Sequence, residues 1–167
     1  MRSAKYYKEI LSLIEHPEGG AYREVYRSDD MVGGESLSDD FEGDTRNICT
    51  SIYFLLDSTE FSAFHKIKSD EIWNFYDGDP LEVYEIDETG KLIVTTLGRD
   101  IEKKQKFQYT VTKGRWFASR VKAGGDFSLV GCTVSPGFDF LDFTLASSQE
   151  LIKKYPHLSD TISSLTV

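Results

Sequence analysis

Cysteine is scarce in this chain. Its 167 residues hold two, Cys49 and Cys132, and they form no CxxC pair. Both sit in apolar, strand-like runs, a setting for reduced, buried thiols in a cytoplasmic protein; a disulfide between facing strands is the alternative reading. Basic charge is also in deficit: 19 Lys and Arg stand against 28 Asp and Glu, a formal net charge of -9. Binding a nucleic-acid backbone needs a positive field, and no Lys/Arg cluster supplies one. No apolar run reaches membrane-spanning length, so no membrane partner is expected. The N-terminal MRSAKYYKEILSL lacks the continuous apolar stretch and small-residue cleavage site of a secretory signal, which again points to the cytoplasm. The glycine pairs at 19–20, 33–34 and 124–125 carry neither GxGxxG nor GxxxxGK[ST], and there is no HExxH or GxSxG. Ser51 lies in a strand run with no base beside it, so serine or cysteine nucleophilic catalysis has little support.

What is present is a chain long enough for one domain, residues 1–167, with a sizeable core. Tyr7, Ile10, Leu11 and Ile14 recur at helical spacing and predict a helix over 4–14. His16-Pro17-Glu18-Gly19-Gly20 ends it in a tight bend, and 22–27 reads as a strand. Residues 28–47 are acidic, with few apolar anchors, and predict a long surface loop acting as a mobile flap. Nine strand-like runs follow, at 49–56, 63–67, 71–76, 81–86, 92–97, 107–111, 116–120, 127–134 and 140–145. Ser147 and Glu150 form a capping box for a last helix over 149–155, stopped by Pro156. Many short strands between two terminal helices, with too few helices for βαβ units, predict an all-β sandwich or small barrel.

The richest stretch is FHKIKSDEIWNFYDGDPL at 64–81. Strand alternation puts His65 and Ile67 on one face. It puts Glu71, Trp73 and Phe75 on one face of the next strand, and Ile72, Asn74 and Tyr76 on the other. His65 and Glu71 flank a bend and are expected to converge across a hairpin. An imidazole beside a carboxylate can abstract a proton, the carboxylate fixing the tautomer. The same two groups are candidate metal ligands, although two protein ligands make a weak site for zinc or iron. A hydrogen-bonded pair without chemistry is the plain structural reading. Arg23, beside the Gly19-Gly20 bend, has the planar fork to hold a phosphate, a carboxylate or an enolate.

These residues resemble the first motif of the cupin superfamily: Gly, five residues, His-x-His, three or four residues, Glu, six residues, Gly. His65, Glu71 and Gly78 match in spacing, while Thr59 replaces the opening glycine and Ile67 the second histidine. Of the second motif only Gly114 remains; Phe117 stands at the third histidine and Val121 at the asparagine. A closer resemblance is to a cupin group described as predicted sugar epimerases, a label drawn from likeness to dTDP-4-dehydrorhamnose 3,5-epimerase. It is carried by HPEGGAYREVYR (16–27), TSIYFLL (50–56), the 64–81 stretch, GRWFASRV (114–121) and SLVGCTVSPGFDFLDFTLA (128–146).

The resemblance implies an all-β cupin double-stranded β-helix, a jelly-roll barrel with short flanking helices at both termini. It implies a metal-independent sugar epimerase or isomerase, needing no cofactor, with a bound divalent metal left open. His65 would take a proton next to a ketone, and Tyr76 or Tyr53 would return one on the opposite face. Arg23, Asn74 and Lys66 would face the enolate, and Trp73, Trp116 and Tyr76 would stack on the sugar. The ligand would be a small molecule such as a sugar or nucleotide-sugar. Two alternatives are a non-catalytic small-molecule-binding cupin and a degenerate metal-dependent cupin enzyme with His65, Glu71 and a third ligand from another strand. Phe138, Phe140 and Phe143 are expected in the core or a subunit contact, with Asp139 and Asp142 as further ligand candidates. A homodimer is expected, with the 22–27 strand joining its partner's sheet.

Overall fold

The computed structural model describes residues 2–167. Helix α1 (Ala4–Ile10) leads into β1 (Ile14–Glu15) and β2 (Ala21–Arg27), followed by the short strands β3 (Met31–Val32) and β4 (Arg46–Asn47). The barrel strands are β5 (Thr50–Asp57), β6 (Phe61–Lys66), β7 (Asp70–Gly78), β8 (Leu81–Ile86), β9 (Leu92–Leu97), β10 (Gln108–Val111), β11 (Trp116–Val121) and β12 (Phe127–Ser135). β13 (Thr144–Leu145), α2 (Ser148–Lys154) and α3 (Ser159–Ser164) close the chain.

Two antiparallel sheets face each other. One has the order β1-β2-β5-β12-β7-β10, the other β13-β6-β11-β8-β9, and β3 pairs with β4 separately. Their inner faces share one apolar core, in which Phe54, Trp73 and Val130 of the first sheet meet Val83, Leu97 and Phe117 of the second. The outer face of the second sheet carries Phe64, Tyr84 and Ala118, covered by Leu151 of α2 and Ile162 of α3. Tyr7 of α1 packs on Leu55, Phe127 and Leu129. The all-β sandwich with terminal helices follows from this period-two burial.

Three local expectations are corrected. Helix α1 stops at Ile10 because Ser12 takes a left-handed φ of 53°, and the chain turns back so that Ile14 pairs with Tyr22. The strand expected at 140–145 is instead a 3-10 turn over Phe140–Asp142, since the Asp139 carboxylate accepts the Leu141 N–H at 2.9 Å; only Thr144 and Leu145 join β6. The 28–47 loop is tied down rather than free. Arg46 is buried and donates to Asp142 at 2.7 and 2.6 Å, Phe41 is buried beneath its guanidinium, and Lys113 reaches Asp40 at 3.0 Å. At the C-terminus Ser147 caps α2 as expected, but α3 is an addition beyond Pro156. Both cysteines are free thiols, Cys132 buried and Cys49 half-buried. Among the described residues, no helix is long and apolar enough to cross a membrane.

Candidate functional site

A cavity of about 430 Å³ opens between the two sheets, within the size range of small-molecule sites. Its floor begins in the bend between β1 and β2. The His16 N–H donates to the Gly20 carbonyl at 3.0 Å, the Gly19 N–H donates to the His16 carbonyl at 3.0 Å, and the Ala63 N–H donates to the Glu18 carbonyl at 2.8 Å. This hairpin lies so close to β5 and β6 that only glycine fits. Gly19 and Gly20 have φ of 107° and 73°, and a Cβ on either would strike the Phe61 or Leu55 carbonyl. The bend thus drives Glu18 into the barrel, where it is buried.

Glu18 meets two imidazoles. Its Oε2 lies 3.2 Å from His65 Nε2 and 3.4 Å from His16 Nδ1, while its Oε1 accepts the Ser62 hydroxyl at 2.8 Å. The His65 Nδ1–H donates to the Ala63 carbonyl at 2.7 Å, because that oxygen can only accept. His65 Nε2 is therefore the nitrogen that shares a proton with Glu18. His16 Nδ1 accepts the Glu18 backbone N–H at 3.3 Å, which leaves its proton on Nε2. Burial raises the Glu18 carboxyl above its ordinary range and lowers both His16 and His65. His16 is held by rings, with Tyr22 at 4.6 Å edge-on and Phe140 stacked at 6.0 Å.

Glu71 enters from β7, in the sheet opposite His65. Burial, and then the neighbouring Glu18, push its carboxyl up to about 7; His65, the Trp73 indole and the Cys132 thiol pull the other way. His65 and Glu71 do converge, but across the barrel: β6 and β7 belong to different sheets, and the bend between them is a corner rather than a hairpin. Trp73 lines the same cavity.

The other sequence candidates lie elsewhere. On β2 and β5 the cavity takes Tyr22, Glu24, Ile52 and Phe54, so alternation turns Arg23 and Tyr53 outward. Arg23 donates to the Leu11 carbonyl at 3.0 Å, at the end of α1. Tyr76 packs edge-on against Tyr53 at 6.0 Å, over Gly131, and is 45% exposed. Asn74 accepts from Gln108 at 2.9 Å on that same outer face. Trp116 sits on the outside of the second sheet beneath the Lys66 ammonium, and its neighbour Phe117 is the one facing in. The proton-returning tyrosine and the enolate partners expected from sequence are therefore away from the cavity, because each holds the opposite parity on its strand. Tyr22 is the tyrosine on the cavity wall.

Sequence reasoning missed His16, Glu18, Tyr22, Glu24 and Arg27. In the sequence the first two read as a helix stop, although a histidine and a glutamate two apart, ahead of two glycines, mark a bend with both side chains free to turn inward. Arg27 reaches the cavity through a bulge between Glu24 and Tyr26 that resets the alternation. There it donates to Glu24 at 2.7 and 3.0 Å, to Asn47 at 2.7 Å and to the Phe138 carbonyl at 3.2 Å. Phe138, Asp139 and Phe140 also line the cavity, while Asp142 is turned away onto Arg46.

The donor set does not fit a cupin metal centre. Ile67 and Phe117 put hydrocarbon at two ligand positions, Phe117 lies 4.1 Å from the His65 ring, and both His65 nitrogens already have protein partners. Among the described residues, no three His, Cys, Asp or Glu side chains are grouped to hold a metal ion.

Two facing antiparallel sheets with a cavity between them, rooted on the His65–Glu71 motif, define a cupin. The sequence profile described as Cupin superfamily (DUF985) matches residues 6–146, and the chain belongs to that family. It is 36% identical to a hypothetical protein from Leishmania major, with a TM-score of 0.89 over 99% of each chain. It is 38% identical to protein SO0799 from Shewanella oneidensis, with a TM-score of 0.87 over 100% of this chain and 99% of the other. An uncharacterized protein of Saccharomyces cerevisiae is 30% identical over 84% of this chain and 74% of its own length. Oxalate decarboxylase from Bacillus subtilis, at 14% identity, a TM-score of 0.54 and 36% of its length covered, shares the fold alone.

Proposed function

We propose that this cupin catalyses proton transfer next to a carbonyl group of a small molecule, as an isomerase or epimerase that uses no metal. The observation carrying this reading is the cavity floor, where a buried Glu18–His65 pair at 3.2 Å faces a second buried carboxyl, Glu71, whose pKa is raised to about 7. A carboxylate held near neutrality is a stronger base than an ordinary one, yet remains half ionised at working pH. Glu71 takes the proton from carbon, the electron pair moves to the carbonyl oxygen, and the proton shared by Glu18 Oε2 and His65 Nε2 leaves that hydrogen bond and passes to carbon. The two groups exchange roles in the reverse direction, and release of the product lets solvent reset both. Neither Tyr76 nor Tyr53 takes part. The test is to incubate metal-stripped protein with ketoses in deuterium oxide. Deuterium is expected at the carbon beside the carbonyl, and His65→Asn should lower its rate about a hundredfold or more. A ketose shown to bind without ever exchanging would overturn the reading.

The same geometry supports a homodimer. β1 covers only Ala21 and Tyr22 of β2, so among the described residues the edge from Arg23 to Arg27 has no strand partner, and Val25 and Tyr26 are exposed on it.

A further inference from the structure

His16 is a titratable side chain of the cavity floor that the reaction above leaves unused. The hydrogen bonds around it give it a task. His65 has both nitrogens engaged: Nδ1–H donates to the Ala63 carbonyl at 2.7 Å, and Nε2 lies 3.2 Å from Glu18 Oε2. Its ring is walled by Phe117 at 4.1 Å and Phe143 at 5.3 Å. A proton bound for His65 Nε2 therefore comes through Glu18. Glu18 Oε1 accepts the Ser62 hydroxyl, and Ser62 is fully buried, so that branch ends inside the protein. The other branch runs from Glu18 Oε2 to His16 Nδ1 at 3.4 Å.

The far side of the His16 ring is different. Its contacts with Glu18 all run through Nδ1. Nε2 has no partner among the described residues, and it is not one of the partnerless side-chain atoms sealed from solvent. It is thus open to water. Tyr22 at 4.6 Å, with Phe54 and Phe140 each at 6.0 Å, holds the ring so that Nδ1 stays on Glu18. A neutral imidazole accepts a proton on one nitrogen and releases one from the other. We infer that His16 is the proton relay of this floor, linking solvent to Glu18 Oε2 and, through Glu18, to His65. With the ring proton on Nε2, a proton leaves Glu18 for Nδ1 while the Nε2 proton passes to water. The Nδ1–H tautomer carries a proton inward by the reverse steps. Each transfer moves one proton across the ring and leaves the ring neutral. Its use in turnover rests on the proton-transfer reading above: the relay discharges the pair after it takes a proton from carbon and reloads it after it gives one. His16 acts through Glu18 and is a positioning residue for the proton, not a catalytic residue.

The chain has three histidines, so nitrogen-15 labelling of histidine gives three assignable imidazoles, with His157 on the Gly90 carbonyl as the reference outside the cavity. With no ketose present, nitrogen relaxation at His65 Nε2 reads how fast that atom gains and loses its proton. His16→Phe keeps a ring among Tyr22, Phe54 and Phe140 but removes both nitrogens. The rate should fall at least about tenfold, with His157 unaffected and the melting temperature close to wild type. In His16→Ala, added imidazole should restore the rate in proportion to its concentration. An unchanged rate in His16→Phe would overturn the relay, since protons then reach the pair directly. A slower rate that imidazole does not restore would also overturn it, since His16 would merely hold Glu18 in place. The deuterium test with ketoses separates the relay from the reaction. A working relay in a protein that binds ketoses without exchange would defeat proton transfer to substrate alone. Deuterium exchange at the wild-type rate in His16→Phe would defeat the relay alone.

Discussion

Glu71 is where the chemistry and the stability of single residues meet. Its carboxyl binds its proton up to about pH 7 in the fold, against an ordinary value of 4.5. Between those values the folded state holds a proton that the unfolded chain has released. Stability from this group is complete below about 4.5 and is lost as pH rises through 7, by an amount on the order of 3 kcal/mol. The surface carboxylates Asp57 and Asp77, held below their ordinary values by hydrogen bonds, act with the opposite sign but only in more acid solution. Glu71→Gln should therefore flatten the fall in denaturation free energy between pH 5 and pH 8, and be more stable than wild type at pH 8. An unchanged pH slope would mean that Glu71 is ionised in the fold. Motif spacing made His65 and Glu71 legible in the sequence, and Trp73 followed by parity from Glu71. Glu18 was not legible, since a glutamate in a Pro/Gly bend looks exposed until the close approach of Gly19 and Gly20 to β5 and β6 is known. Gly19→Ala should lift that bend off Phe61, displacing Glu18 from His65 and abolishing exchange, with a drop in melting temperature as the accompanying sign.

At the scale of elements, most strands were visible because inward and outward residues alternate, and β8 and β9 fall within the bounds expected for them. What alternation could not reveal was which sheet each strand joins. The β6–β7 connection reads as a hairpin but turns a barrel corner, so His65 and Glu71 meet across the core instead of along one ladder. The bulge in β2 hid Arg27 for a related reason: one extra residue reverses every assignment beyond it. Composition also misrepresents the 28–47 loop, whose acidic surface conceals one buried ion pair. Arg46 and Asp142 are almost fully enclosed, each satisfying the other with two hydrogen bonds. Asp142→Ala leaves the guanidinium buried without its carboxylate and should cost about 3–5 kcal/mol in urea denaturation. The loop should then become the first site of limited proteolysis. A loss below 1 kcal/mol would show that water reaches Arg46.

For the molecule as a whole, the layout follows from how its surfaces are covered. The C-terminal helices shield the outer face of one sheet and α1 shields part of the other. Around Tyr53, Tyr76 and the β2 edge no described segment plays that part, which is why the residues expected to hold a ligand fit better with subunit contact. Sedimentation at micromolar concentration should give a dimer of the 19.0 kDa chain. A charge pair placed on the β2 edge, Val25→Asp with Tyr26→Lys, should shift it toward monomer without unfolding it. A wild-type monomer independent of concentration would rule the contact out.

The most direct measurement is the pH profile of solvent-deuterium incorporation into a bound ketose by metal-stripped protein. If Glu71 is the base, the wild-type rate rises through about pH 7 as its carboxylate forms, while Glu71→Gln is flat and about a hundredfold slower. A ketose that binds in the cavity but exchanges equally fast with wild type and Glu71→Gln would contradict proton transfer at this floor.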